Sequence, residues 1–250
     1  MNTFSSTLNY RFSAIAVLGM ALTIGVWAAP SADTQPATST NKSEARAVRE
    51  IAMVYPYEML IQGKPGWADA SFVIGYAGQP LFTTPDGSSD PAFARAAVAM
   101  IEANRFTPVK KARRMTMAKS VQRFTFGGDA SLSPGTRRVI AELRKERPAI
   151  CSVTELDERP KVLRQDAPVY PRAMKDDGLT GQAEIEFVVT VDGEVVCPRI
   201  VSASQEDFGW AAATAVAQWR FQAPIKNGQK VDARMIVPVL FDARRLAASD

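Results

Sequence analysis

The sequence repeats itself once, and this repeat limits the folds that are open to the chain. When the 250 residues are shifted by 115, the interval from Tyr55 to Tyr170, the two halves align without a gap. About a quarter of roughly 70 aligned positions are identical, several times what chance gives at ordinary composition. The matching residues include Tyr55-Pro56 and Tyr170-Pro171, Gly66 and Gly181, Phe72 and Phe187, Gly78 and Gly193, Phe93 and Phe208, Arg105-Phe106 and Arg220-Phe221, and Phe126 and Phe241. Because a repeat of this length is one folding unit used twice, we predict two similar modules in tandem.

The second copy shows the order of the elements within a module. Tyr170-Pro171 is suited to opening a short helix, since proline at the first helical position costs no hydrogen bond. Apolar residues at odd positions from Ala183 to Val191 predict a strand with one buried face, and Asp192-Gly193 supplies a tight hairpin turn. After the return strand, an apolar stripe from Phe208 to Trp219 predicts a helix, and Met235 to Phe241 form the last strand.

The first copy follows the same plan with weaker signals. Asp90 is suited to an N-cap with Pro91 after it, and Phe93 begins the apolar stripe of a helix. The hairpin at Ala77-Gly78 lacks the Asp-Gly pair, and Pro134 to Arg147 predict a charged connecting helix. The fold class is therefore α+β, with each module a small antiparallel sheet in αββαβ order packed on a helix. The predicted segments are a first module at 49–128, a connecting helical linker at 129–150 and a second module at 151–245.

The N-terminal region has the pattern of an export signal. A polar stretch ends at Arg11, and an almost uninterrupted apolar run follows from Phe12 to Ala28. Small residues around Ala28 favour cleavage of a signal peptide at 1–29, but about 17 apolar residues span roughly 25 Å as a helix, so an uncleaved anchor stays open. Residues 30–48 are polar and aperiodic, which is typical of a flexible linker.

Export bears on the two cysteines, Cys151 and Cys197. Thiols outside the cytoplasm are normally oxidised, so one intrachain disulfide between them is the expected pairing. The alternative is a pair of buried structural thiols.

Composition argues against several classes of function. The chain has no histidine, which excludes Ser-His-Asp and Cys-His catalysis, and two cysteines alone make a poor zinc site. We therefore expect no enzyme activity, cofactor or metal. A net charge of +4 is mild for this length, and export disfavours nucleic acid as a partner. The basic stretch Lys110, Lys111, Arg113 and Arg114 fits either solvated surface or a contact with lipid headgroups or cell-wall polymer.

The second copy resembles the TonB C-terminal domain in the order and spacing of its residues. The residues that carry the resemblance include Tyr170, Pro171, Gly181, Gly193, Trp219, Arg220 and Phe221, with Asp192 and Val239-Leu240-Phe241. The resemblance covers about residues 155 to 245, and the copy at about 50 to 128 resembles a divergent relative. It implies a periplasmic module that engages outer-membrane receptors by pairing an edge strand with a short receptor peptide.

The edge strand implied by the resemblance is the last one. The partner-binding residues expected there are Met235, Ile236, Val237, Val239 and Phe241. Pro238 lacks an N–H and is tolerated mainly at an edge, so this strand should border solvent. The same proline removes a donor and can protect the edge against pairing.

Two other functions stay open. Transducers of the TonB family are similar to one another in a membrane helix that bears a histidine, which this chain lacks, so we do not expect complete energy transduction from this chain alone. The alternative is a periplasmic scaffold or homodimer of the cell envelope. An enzyme of another type would instead show a polar pocket with strongly shifted pKa values.

Overall fold

Two antiparallel sheets, each covered by one long helix, form the framework of this α+β protein in a computed structural model that describes residues 46–48 and 51–242. All of these residues fall in one compact unit. The expected leader at 1–29 and the linker up to residue 45 lie outside the described residues. Within the described part, no helix is both long enough and apolar enough to cross a membrane.

The first sheet is built from the N-terminal half. Its elements are α1 (Tyr57–Ile61), β1 (Gly66–Ile74), β2 (Pro80–Ser88), α2 (Pro91–Glu102) and β5 (Ala118–Phe126), with the strands in the order β2-β1-β5. Alternate residues of β1 are buried from Ala68 to Ile74, which gives the sheet one apolar face. The Asp90 carboxylate accepts a hydrogen bond from Ala92 N at 3.0 Å and caps α2.

The second sheet is built from the C-terminal half. Its elements are α4 (Arg172–Asp176), β8 (Gly181–Val189), β9 (Val195–Ala203), α5 (Glu206–Val216) and β13 (Ala233–Phe241). A short strand, β6 (Cys151–Ser152), joins this sheet, which has the order β6-β13-β8-β9. Odd-numbered residues of β8 are buried from Ala183 to Val189, and Gly193 turns the hairpin with φ of +77° as its sequence predicts.

Corresponding elements of the two halves begin 115 residues apart. This interval separates β1 from β8, β2 from β9, α2 from α5 and β5 from β13. The strand registers agree as well, because Gly66 pairs with Phe126 and Gly181 pairs with Phe241. The cores contain equivalent aromatic clusters: Tyr55, Phe93 and Phe126 in one half and Tyr170, Phe208 and Phe241 in the other.

Residues 46–48 belong to the fold, which corrects the expected end of the linker at residue 48. Ala47 forms an antiparallel bridge with Phe106, and Val48 N donates to Arg105 O at 2.7 Å. The equivalent pairing in the second half is between β7 (Val162–Arg164) and β10 (Arg220–Phe221). The first half therefore begins at or before residue 46.

The connecting segment contains the expected helix, α3 (Pro134–Leu143), but it packs into the core. Val139 and Ile140 are completely buried. Arg144, just beyond the helix, donates to Leu60 O at 3.0 Å and to Ile61 O at 2.7 Å. Since these contacts fix the segment against α1, it is part of the packed structure and more than a spacer between modules.

The two cysteines are free thiols, which corrects the expected disulfide. Cys151 lies on β6 and Cys197 on β9, at opposite edges of the four-stranded sheet. Three strand spacings place them about 14 Å apart, whereas a disulfide requires Cα atoms within about 7 Å. Burial raises the pKa of the Cys197 thiol to about 12. The alternative of structural thiols therefore applies, with Cys151 half-buried and Cys197 buried.

Two short hairpins complete the fold. The first consists of β3 (Val109–Lys111) and β4 (Arg114–Thr116), and the second of β11 (Ile225–Lys226) and β12 (Gln229–Lys230). Short 3₁₀ turns are formed by Gly128–Ser131 and Val153–Glu155.

Candidate functional site

The last strand, β13, has an open edge over most of its length. On one side it pairs with β8 from Ala233 to Phe241. On the other side, β6 pairs only with Ala233 and Arg234, in parallel. Within the part of the chain that the structure describes, the edge from Met235 to Phe241 has no neighbouring strand.

The register determines which backbone groups face this edge. Asp232 O accepts a hydrogen bond from Cys151 N at 3.0 Å, so the backbone groups of Asp232 point away from β8. Along a strand the direction alternates, so Ile236, Pro238 and Leu240 also point outward. The open edge therefore presents the N–H and C=O groups of Ile236 and Leu240 and the C=O group of Pro238.

Pro238 fits this pattern without breaking the sheet. It lies opposite Glu184 in the ladder with β8, at a position where its missing N–H would point to the open edge. The strand was predicted to lie at an edge, but β6 covers its first two residues, so the edge is open only from Met235 onward. The proline removes one donor from the middle of the edge and leaves two.

The side chains of β13 alternate between the core and solvent. Met235, Val239 and Phe241 are buried, and Val237 is half-buried. On the opposite face Ile236 is 55% exposed and Leu240 is 71% exposed. An apolar strip made of Ile236, Pro238 and Leu240 thus runs beside the open edge.

This arrangement changes the set of residues expected to meet a partner. Of the five predicted residues, only Ile236 has both an exposed side chain and outward backbone groups. The other four, Met235, Val237, Val239 and Phe241, direct their backbone groups towards β8. Leu240 was missed, although the alternation that assigns its neighbours to the core assigns it to the exposed face.

Charged groups fix the start of the strand. The Asp232 carboxylate accepts hydrogen bonds from the Arg138 guanidinium at 2.8 Å and from Val191 N at 2.9 Å. These contacts join α3, the β8–β9 hairpin and β13 at one point. The strand therefore enters the sheet at a fixed position.

The motif residues shared with the TonB C-terminal domain build the core behind this strand. The Tyr170 hydroxyl donates to Leu179 O, and its ring packs edge-on against Phe241 at 5.5 Å between centroids. Burial raises the pKa of this hydroxyl, with a smaller contribution from the charge of Asp242. Pro171 is buried and precedes α4 as its N-cap. Of this group, Tyr170 contacts the edge strand through its ring, and Gly181 pairs with Phe241 through its backbone.

The remaining motif residues serve packing and turns. A side chain at Gly181 would lie 2.4 Å from the Phe208 ring, so only glycine fits there. Trp219 Nε1 donates to Asp166 O at 2.8 Å, and Phe221 packs 5.8 Å from the Phe187 ring. Arg220 lies 3.4 Å from the Glu194 carboxylate. These contacts give Gly181, Gly193, Trp219, Arg220 and Phe221 structural roles.

A cavity of about 250 Å³ lies between α2 and α5. Its lining is mainly apolar and includes Glu102, Asp207 and Trp210. Burial, together with the charge of Asp207, raises the pKa of the Glu102 carboxyl to about 7. The Trp210 indole N–H is buried and has no hydrogen-bond partner among the residues that the structure describes. Among the described residues, no group of three or more His, Cys, Asp or Glu side chains is placed to hold a metal ion.

Comparison with known proteins adds a family resemblance to this geometry. Protein TonB of Pseudomonas aeruginosa is 33% identical over 91 residues, which are 36% of this chain and 26% of the relative. The chain thus spans about a quarter of the curated relative that it matches. The solution NMR structure of the Pseudomonas aeruginosa TonB CTD has 27% sequence identity and a TM-score of 0.32, and it covers 38% of this chain and 94% of that chain. Residues 166–243, which include the open edge strand, match the family described as Gram-negative bacterial TonB protein C-terminal.

Proposed function

We propose that this chain is a periplasmic interaction protein with two tandem TonB C-terminal-like modules, the first of them divergent. The second module binds a peptide segment of outer-membrane TonB-dependent receptors along β13. The observation that carries the proposal is the open edge of this strand within the segment that matches the TonB C-terminal family. The common 115-residue spacing and strand registers support two modules.

The chemistry of the edge suits the addition of one strand. A peptide that pairs with β13 gains hydrogen bonds to Ile236 and Leu240, each worth about 0.5–1.5 kcal/mol net. Its apolar side chains can cover the exposed side chains of these two residues.

The test removes one donor from the edge without changing the core. Ile236→Pro deletes an outward N–H next to the existing Pro238, and it leaves the ladder with β8 intact. We expect at least tenfold weaker binding of N-terminal receptor peptides from the organism's own genome, measured by isothermal titration calorimetry on the purified chain. Circular dichroism checks that the variant is folded.

Val121→Pro is the matched control. Val121 is 56% exposed on β5 and pairs with Ser71, while Ile236 is 55% exposed and pairs with Glu186, 115 residues further along. Peptide binding should persist in this variant. Equal binding by wild type and Ile236→Pro, or no binding of any such peptide by wild type, would refute the proposal.

A second candidate function is a scaffold that forms a homodimer through the same edge. The exposure of Leu240 beside an open edge favours it, since two antiparallel copies of β13 could cover each other. Sedimentation velocity distinguishes the two functions. A dimer that dissociates in Ile236→Pro, with no peptide binding by wild type, would favour the scaffold.

A further inference from the structure

The hairpin formed by β3 and β4 has a turn whose two central backbone N–H groups bond to none of the described residues. Its central residues, Ala112 and Arg113, both have left-handed backbones, with φ of 48° and 65°. In a two-residue turn of this kind the two central N–H groups lie outside the hairpin ladder. Successive backbone N–H groups in a turn conformation can form a concave site that favours anions.

The equivalent hairpin in the second half shows such a turn with its anion in place. Asn227 and Gly228 have φ of 51° and 74° and lie 115 residues beyond Ala112 and Arg113. The Asp157 carboxylate accepts from Asn227 N at 2.8 Å and from Gly228 N at 2.9 Å. These two bonds hold the pKa of Asp157 below its usual range, and the bond from Gly228 makes the larger contribution.

The first hairpin has the same turn, but the sequence has no acid at the position equivalent to Asp157. The residue 115 positions before Asp157 is Lys42 in the sequence. Among residues 46–48 and 51–242, no carboxylate is bonded to the Ala112 or Arg113 N–H groups. An anion at this turn must therefore come from outside the described part of the chain.

Four exposed cations surround the turn, namely Lys110, Lys111, Arg113 and Arg114. Lys111 lies directly opposite Arg114 in the hairpin, a like-charge pair that is unfavourable unless an anion is close. Within the described residues, none of the four has an ion-pair partner. Met115 is 47% exposed and Met117 39% exposed, so apolar side chains lie next to the charges.

We infer that the tip of the β3–β4 hairpin is a binding site for the phosphate groups of an anionic phospholipid surface. At this site the Ala112 and Arg113 N–H groups donate to phosphate oxygens, in the same way as the turn of the second hairpin donates to the Asp157 carboxylate. The four cations face neighbouring headgroups, each contributing on the order of fivefold in affinity at an anionic surface. The exposed methionines enter the headgroup layer of the lipid surface. A free phosphate ion would not cover these methionines. This inference is independent of receptor binding at β13.

The test compares vesicles of phosphatidylcholine with vesicles that also contain phosphatidylglycerol, using the full chain and co-sedimentation. Binding through the N-terminal apolar run is common to both vesicles and is subtracted. We expect additional binding to the anionic vesicles, reduced at least tenfold in the triple variant Lys111→Gln, Arg113→Gln, Arg114→Gln. The double variant Lys226→Gln, Lys230→Gln in the second hairpin is the matched control and should bind as wild type does.

Two further measurements keep the inference falsifiable. Arg113→Gly removes a cation and keeps the left-handed turn, so it replaces the triple variant if that variant fails to fold. Millimolar inorganic phosphate tests for a site that takes a soluble ion. Equal binding to both vesicles, full binding by the triple variant or by its replacement, or loss of vesicle binding in phosphate would overturn the inference.

Discussion

Replacing Gly193 with alanine tests how tightly the β8–β9 hairpin is joined to the strand after α5. Gly193 has φ of +77°, and Gly193 O accepts a hydrogen bond from Phe221 N at 2.9 Å. A Cβ atom at this position would lie 2.0 Å from Phe221 O and 3.1 Å from Phe221 C. Both of these are backbone atoms, so no side-chain rotation relieves the contact.

The expected cost has two parts. A left-handed backbone costs a non-glycine residue about 1–2 kcal/mol. The close contact requires a shift of about 1 Å, which breaks the hydrogen bond from Phe221 and adds about 1–3 kcal/mol. We therefore expect Gly193→Ala to lower the free energy of unfolding by about 3 kcal/mol.

Gly178→Ala separates these two parts. Gly178 has φ of +64°, and a Cβ atom there would meet nothing within 4 Å. Only the conformational cost of about 1 kcal/mol should remain in this variant. Gly78→Ala provides the equivalent of Gly193→Ala in the first half, since its Cβ atom would lie 2.0 Å from Phe106 O.

Urea unfolding followed by tryptophan fluorescence measures the three variants under the same conditions. Gly193→Ala and Gly78→Ala should agree within about 1 kcal/mol, and each should exceed Gly178→Ala by about 2 kcal/mol. A difference below about 0.5 kcal/mol between Gly193→Ala and Gly178→Ala would show that the backbone contact does not restrain the hairpin.

Three further predictions concern charge and thiols. The raised pKa of Glu102 means that the folded state holds a proton which the unfolded chain releases near the ordinary glutamate pKa of 4.5. Wild type therefore loses stability as the pH rises from 4.5 to 7. After allowance for partial exposure, the free energy of unfolding of wild type should fall by about 2 kcal/mol over this pH range, and Glu102→Gln should not show this fall. Measuring the free energy of unfolding at several pH values checks this. Arg144→Met should cost about 2 kcal/mol in urea unfolding, because it deletes charge-assisted hydrogen bonds to two carbonyls, whereas exposed Arg147→Met should cost less than about 0.5 kcal/mol. Maleimide should label Cys151 in the folded protein and Cys197 only after unfolding, and an unreduced mass spectrum with an internal disulfide would contradict the structure.

Local patterns in the sequence predicted the main elements correctly. The alternation from Ala183 gave the buried face of β8, and the spacing from Phe208 gave α5. Both patterns depend on contacts between an element and one layer of core, so they can be read along the chain. The position of Pro238 also indicated an edge strand.

The exposed face of that strand was only partly identified from the sequence, for a physical reason. The apolar residues Met235, Val239 and Phe241 mark the side of β13 that packs on the core. The other side carries Ile236 and Leu240, which are apolar without being buried. Periodicity alone does not distinguish the two sides when both are apolar.

Contacts between distant segments also could not be predicted from the sequence. The parallel pairing of Cys151 and Ser152 with β13 joins residues about 80 positions apart and has no local signal. It also determines where Cys151 lies, and therefore why the expected disulfide cannot form. Two cysteines in an exported chain suggest oxidation, but only the order of strands shows their separation.

The short strand β6 limits how far a strand that docks on β13 can extend along it. Cys151 and Ser152 already occupy the places beside Ala233 and Arg234, so a guest strand cannot slide past them. A slip of one residue would turn every guest side chain to the opposite face. The connector between the two halves thus sets the alignment of a guest, and lengthening or shortening it would change which peptide sequences fit without altering β13 itself.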